Sequence, residues 1–212
     1  MTKTGLFSVS FKSEQVENSI VTKRVSAVDL FCGAGGLTRG LEAAGISVEA
    51  GIDDDEACEY PYERNNSADF VCADLQQIAL EEPELVVNLF DEDADVKLLA
   101  GCPPCQPFSP LTHGEASSEH SSYRLLDAFR DLVDRARPDY VLMENVHEVY
   151  KADIYQSFEE RMSEMGYHLN LHSDRSVYCP DFGIPQTRRR WVTLAARDKI
   201  PDIGPPLIQR ER

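Results

Sequence analysis

Lysine is scarce in this chain of 212 residues: 6 lysines stand against 15 arginines, and the 21 basic residues face 37 aspartates and glutamates, for a net charge of −16. On average such a chain repels polyanions, and the balance speaks to solubility and partners rather than to fold. Two origins fit it, an ordinary acidic protein and one suited to a salt-rich cytoplasm. No apolar run approaches the roughly 20 residues that cross a bilayer, and the opening MTKTGLFSVSFKSEQ has no apolar signal core. The expectation is a cytoplasmic protein with no membrane partner, in which the 6 cysteines are thiols rather than a disulfide framework. After Cys102-x-x-Cys105 there is no second C-x-x-C and no paired histidine motif, so a zinc site lacks its remaining ligands and no metal is expected. Internal repeats and low-complexity segments are absent too.

What is present reads as one domain with one sizeable core. Residues 1–24 form an N-terminal arm, 25–198 the domain, and 199–212 a linker or tail containing Pro201-Asp202-Ile203-Gly204-Pro205-Pro206. Apolar runs at 25–31, 47–52, 70–73, 96–100, 140–143, 168–177 and 191–196 read as strands, and helical spacing follows at 37–44, 56–65, 122–135 and 154–165. From Asn65 to Val96 there are nine acids and no base, which reads as a solvated face and loop. Alternation at this spacing implies an α/β fold with an open, mostly parallel, Rossmann-like sheet and helices on both faces. Ligands of such sheets bind beyond the carboxyl ends of the strands. Asp29 to Gly36, Asp53, Asp74, Cys105 and Glu144 all fall at those ends.

The loop Gly33-Ala34-Gly35-Gly36 follows the first strand, and Asp53, 20 residues after Gly33, stands where an acid commonly holds a ribose. Without a full G-x-G-x-x-G the loop suits a nucleoside ligand better than a dinucleotide. Its glycines also have a packing reading, a tight turn against a helix. Asp74 fits either an adenine amine or a helix cap. In the run Gly101-Cys102-Pro103-Pro104-Cys105-Gln106-Pro107-Phe108-Ser109 the prolines hold an extended loop, unlike a redox motif that opens a helix. Cys105 is the candidate nucleophile, whereas Cys32, Cys58, Cys72, Cys179 and Cys102 read as inert, buried thiols. A thiolate needs nearby positive charge, for which Arg188, Arg189 and Arg190 are candidates. Glu144 reads as a strand-end carboxylate, either in a salt bridge or poised as a proton donor.

Together the residues resemble the cytosine-C5 DNA methyltransferase family, over 26–196. Asp29-Leu30-Phe31-Cys32-Gly33-Ala34-Gly35-Gly36 resembles its first motif, Pro104-Cys105-Gln106-Pro107-Phe108-Ser109 its nucleophile motif, Glu144-Asn145-Val146 its proton-donor motif and Gly183 to Arg190 its late arginine motif. The resemblance implies an S-adenosyl-L-methionine-dependent enzyme acting on a cytosine flipped out of DNA, with a covalent bond between Cys105 and C6. It assigns catalysis to Cys105, Glu144 and Arg190, and nucleic-acid contact to Gln106, Ser109 and Arg188. Asp29, Phe31, Gly33, Gly35, Gly36, Leu37, Asp53, Asp74 and Leu125 would hold the cofactor. The family often places a bulky residue after the ribose acid, where this chain has Asp54. One-chain members continue into a target-recognition region and two closing motifs, so the expectation is a catalytic subunit completed by a second polypeptide. An inactive scaffold protein and a tRNA cytosine methyltransferase are the alternatives.

Overall fold

The computed structural model describes residues 23–104, 119–201 and 203–204. Residues 1–22 of the expected arm at 1–24, residues 202 and 205–212 of the expected linker at 199–212, and Cys105, Gln106 and Ser109 lie outside the described residues. Eight strands form one sheet: β1 Val25–Leu30, β2 Ser47–Asp53, β3 Asp69–Cys72, β4 Val96–Gly101, β5 Tyr140–Val146, β6 His168–Leu169, β7 Ser176–Tyr178 and β8 Arg189–Ala196. Their order is β3-β2-β1-β4-β5-β8-β6, with β7 also on β8. The first five strands run parallel, and β8 returns antiparallel to β5, β6 and β7. From β1 the chain builds outward through β2 and β3, then crosses back to lay β4 against the other side of β1. The order therefore reverses between β1 and β4, which opens a crevice at their carboxyl ends.

Helices α1 Gly36–Ala43 and α2 Glu59–Asn65 cover one face, burying Leu41 and Tyr62 against Ala27, Leu98 and Ala100. The other face carries α3 Leu75–Glu81, α4 Glu84–Leu89, α5 Glu119–Ala136 and α6 Asp153–Glu164. There Leu126, Phe129, Leu132, Phe158 and Met162 pack on Leu30, Leu99, Val141, Met143 and Trp191. Each such apolar side chain removed from water contributes about 1.5–3 kcal/mol, which fixes the strand ends relative to one another. Strand β4 ends in Gly101 because α5 crosses there: a Cβ would meet the Phe129 ring at 2.8 Å and the Leu30 carbonyl at 2.9 Å.

Three expectations are corrected. The acidic stretch 65–96, expected as a solvated face and loop around the strand at 70–73, also holds α3 and α4, with Leu75, Ile78, Val86 and Phe90 in the core. Most of its charges are exposed, while these four apolar residues face inward and Leu80 stays in solvent. The strand expected over 168–177 is broken into β6, a 3-10 turn at His172–Asp174, and β7. At the break Asn170 occupies the strand partner's bonding groups, donating its backbone N–H to the Leu194 carbonyl (2.8 Å) and accepting the Leu194 N–H on its side chain (3.0 Å). The detour buries Arg175, whose guanidinium donates to the Asn170 carbonyl and to Tyr155 Oη and pairs with Glu159. Among the cysteines expected to be buried, Cys72 is exposed on edge strand β3, and Cys58, Cys102 and Cys179 are only partly covered.

Candidate active site

Beyond β1 the backbone reverses sharply. Phe31 has φ 57°, a left-handed conformation that costs a non-glycine residue about 1–3 kcal/mol, so its surroundings must enforce it. They do so through main-chain bonds: Cys32 N–H to the Ile52 carbonyl (3.1 Å) and Gly35 N–H to the Cys32 carbonyl (2.9 Å). Gly33 N–H donates to Asp53 Oδ2 at 2.8 Å, and Asp55 N–H to Asp53 Oδ1 at 3.1 Å. Asp53 thus ties the end of β2 to the glycine loop. A Cβ on Gly33 or Gly36 would meet open space, whereas one on Gly35 would strike Asn66 at 2.1 Å and Tyr62 at 2.8 Å. The three glycines are not equivalent: Gly33 and Gly36 face outward, and Gly35, at φ 84°, is there for packing against α2. The N–H groups of Gly36 and half-buried Leu37 open the first turn of α1, where backbone donors are left for a ligand. Asp74 caps α3, its Oδ1 accepting from Gln76 N–H at 2.7 Å and Gln77 N–H at 3.4 Å. Leu125 is half-buried on α5.

Asp29, fully buried on β1, accepts the Thr38 hydroxyl on Oδ2 at 2.7 Å. Its Oδ1 is buried with no hydrogen-bond partner among the described residues. Burial pushes the carboxyl up from 3.8 to about 6, opposed in part by the Thr38 hydrogen bonds. Between those values the native state binds more protons than the unfolded chain, so this group's contribution to stability falls as pH rises from about 4 to about 6. A rise of that size corresponds to about 3 kcal/mol. Asp29→Asn is therefore expected to gain about 3 kcal/mol relative to the wild type between pH 4 and pH 7 in urea denaturation. A difference that does not change with pH would refute the assignment.

The opposite wall is made by β5 and β8. Glu144 sits inside β5, which runs on to Val146, and β8 starts at Arg189, so both strands outlast the sequence expectation. Glu144 pairs in register with Val192, and Val146 with Arg190. Alternation along β8 then splits the arginine run. Arg190 Nε meets Glu144 Oε1 at 2.9 Å and Arg188 Nη2 meets the same oxygen at 3.4 Å. Arg189 turns to the other side, over the Tyr178 ring at 4.8 Å and onto Ser176 Oγ at 3.1 Å. Both cations that reach Glu144 use Oε1, so neither occupies Oε2. The side chain of Glu144 is 27% exposed, enough for a ligand to reach.

The next residue, Asn145, is buried, and its Nδ2 donates to the Pro103 carbonyl at 2.9 Å while its Oδ1 accepts Val146 N–H at 2.8 Å. It couples the Glu144 strand to the proline run that leads into Cys105. Cys102 N–H donates to the Leu30 carbonyl at 3.1 Å, tying the same run to the glycine loop's strand. Burial pushes the Cys102 thiol up, and the negative charges of Glu144 and Asp29 push it further, so Cys102 stays protonated near neutral pH. The structure thus brings Glu144, Arg188 and Arg190 into contact, and places the Gly33–Gly36 loop, Asp29 and Asp53 across the β1–β4 crevice from them. Thr38, Tyr62 and Asn145 were missed by sequence reasoning. Asn145 had a signal, its place beside Glu144; Thr38 and Tyr62 had none, because what marks them is contact between residues 24 apart. Among the described residues no cluster of His, Cys, Asp or Glu could hold a metal ion, and no helix is long and apolar enough to cross a membrane. Cavities of about 540 and 810 Å³, bordered by Ser47 and Asp69 and by His168 and Ile200, lie at the other end of the strands.

The model of the C-5 cytosine-specific DNA methylases matches residues 25–208. The chain belongs to that family. The chain is 39% identical over 184 residues to the type II methylase M.HgiDII of Herpetosiphon aurantiacus, covering 85% of this chain and 49% of that protein. To the type II methyltransferase M.HindV of Haemophilus influenzae it is 32% identical over 187 residues, 88% of this chain and 58% of that one. A solved DNA modification methyltransferase, described as putative and encoded within a prophage of E. coli, superposes with a TM-score of 0.65 at 25% identity, over 81% of this chain and 46% of that one. The S. pombe Dnmt2 methyltransferase shares the fold, with a TM-score of 0.64 at 21% identity, over 84% of this chain and 51% of its own. The chain spans about half the length of these two type II relatives.

Proposed function

We propose that these residues form the cofactor-binding and chemical half of a DNA (cytosine-5-)-methyltransferase, with S-adenosyl-L-methionine as methyl donor and a cytosine flipped from the duplex as acceptor. The observation that carries this reading is Glu144, held by Arg190 and Arg188 at the head of the crevice and coupled through Asn145 to the run that enters Cys105. The outward-facing Gly33 and Gly36 and the open first turn of α1 fit the methionine end of the cofactor, and Phe31 its adenosine. Asp53 and Asp74 already accept main-chain bonds, so ribose and adenine contacts would use their remaining lone pairs. Leu125 would line the same pocket.

When bound, S-adenosylmethionine supplies an electrophilic methyl group, yet cytosine C5 is too weak a nucleophile to take it unaided. The Cys105 thiolate adds to C6, and the electron pair displaced from the C5–C6 double bond makes C5 enamine-like. Glu144 bonds or protonates N3, where charge develops, in the manner of an oxyanion hole. Arg190 fixes both Glu144 and the base, and Arg188 supports the same contact, with Gln106 and Ser109 beside the nucleophile on the nucleic acid. After C5 is methylated its proton leaves and the sulfur–C6 bond breaks, which restores the double bond and frees Cys105.

Target recognition, we propose, rests on polypeptide beyond these residues, which a second subunit can supply. Support comes from the length of the relatives and from a charge of −16, which leaves few cations for phosphates. Tritiated S-adenosylmethionine and mixed-sequence DNA test this. The chain alone is expected to transfer no label, and addition of the product of the adjoining reading frame to restore transfer. Strong activity from the chain alone would end the two-part reading. Label on tRNA and not on DNA would end the DNA reading.

A further inference from the structure

We propose that Tyr62 is a positioning residue for the cofactor: from α2 it latches the glycine loop in shape, through Thr38 and Asp29 on one side and through a notch at Gly35 and Gly51 on the other. The inference rests on the reading of that loop as the cofactor's cradle. Tyr62 is completely buried, and its hydroxyl lies 3.0 Å from Thr38 Oγ1. Thr38 spends its one hydroxyl proton on Asp29 Oδ2, so the phenol must be the donor to Thr38. Burial also pushes the Tyr62 phenol up, which keeps that proton in place. The chain of bonds therefore runs Tyr62 to Thr38 to Asp29, from α2 through α1 to the end of β1.

The ring supplies the second half of the latch. A Cβ on Gly51 would come within 2.4–2.6 Å of the Tyr62 ring and hydroxyl, and one on Gly35 within 2.8 Å of the ring. Tyr62 thus fills a slot that exists because β2 and the loop each present a glycine. Asn66 locks it from behind, donating to the Tyr62 carbonyl at 2.8 Å while its Nδ2 stands where a Gly35 Cβ would be.

Tyr62→Phe keeps the ring in its slot and deletes the hydroxyl alone; Thr38→Val deletes the same bond from the other side together with the Thr38 bond to Asp29. In the full chain, amide hydrogen exchange over residues 33–38 is expected to accelerate about fivefold in Tyr62→Phe, with β4 and β5 amides unchanged, and S-adenosylhomocysteine to bind about fivefold more weakly by calorimetry, the scale of one lost hydrogen bond, with larger effects in Thr38→Val, which loses two. The double variant should do no more than Thr38→Val alone, since that substitution already removes the one bond that Tyr62→Phe deletes. Unchanged exchange in the loop, or equal acceleration throughout the sheet as for an ordinary core tyrosine, would overturn the latch. A loosened loop in a chain whose wild type binds no S-adenosylhomocysteine would overturn its role toward the cofactor and leave the loop contact standing.

Discussion

Cys105→Ser is expected to lower methyl transfer to DNA by at least about 10³-fold, because a serine hydroxyl lacks the accessible anion that makes a thiol a nucleophile. S-adenosylhomocysteine binding should be unaffected, since the loop that would hold it lies on β1 and α1. The neighbouring thiol cannot take over. Cys102 is kept protonated by burial and by the charges of Glu144 and Asp29, and its backbone is tied to Leu30. Cys102→Ser should accordingly leave most of the activity. Transfer rates and trapping on 5-fluorocytosine DNA, measured with the preparation that supports transfer, decide the matter: a covalent complex that forms without Cys105 would place the nucleophile elsewhere.

Glu144→Gln is the second large effect, a loss of about 10²–10³ in kcat, the scale set by removing one group that stabilises developing charge. Glutamine keeps the size and loses both the ability to carry a proton to N3 and the counter-charge for Arg188 and Arg190. The two guanidinium groups that meet at Oε1 then lose the charge that offsets their mutual repulsion, so the KM for DNA is expected to change as well. Glu144→Asp separates the causes. It restores charge but not reach, so recovered stability with no recovered rate assigns Glu144 to the chemistry, whereas full recovery of rate would reduce it to a partner of the arginines.

The rim was legible because each of its residues sits at a boundary that local pattern marks. The apolar run before Asp29 and the glycines after it announce a strand and a turn, and Glu144 closes a run that starts at Tyr140. The scaffold under the rim was not legible. Tyr62 reads as one more aromatic in an acidic helix, and nothing near it in sequence shows that Gly35 and Gly51 make room for its ring. The stretch 65–96 was misread because charge density dominates its composition, although Leu75, Ile78, Val86 and Phe90 suffice to seat two short helices. The interruption between β6 and β7 follows from a buried Arg175 that only a tertiary partner such as Glu159 makes tolerable.

The arginine run on β8 works by parity. Side chains of a strand alternate, so a slip of one residue would deliver Arg189 to Glu144 and turn Arg190 toward Tyr178. Three consecutive arginines leave composition blind to such an error, and nothing in the run itself says which of them is meant to face the carboxylate. The count is kept elsewhere, by Asn170, whose bonds to Leu194 and Val192 index the strand four residues beyond Arg190. Insertions between Cys179 and Arg188 are thus sorted less by their length than by whether they leave that index undisturbed.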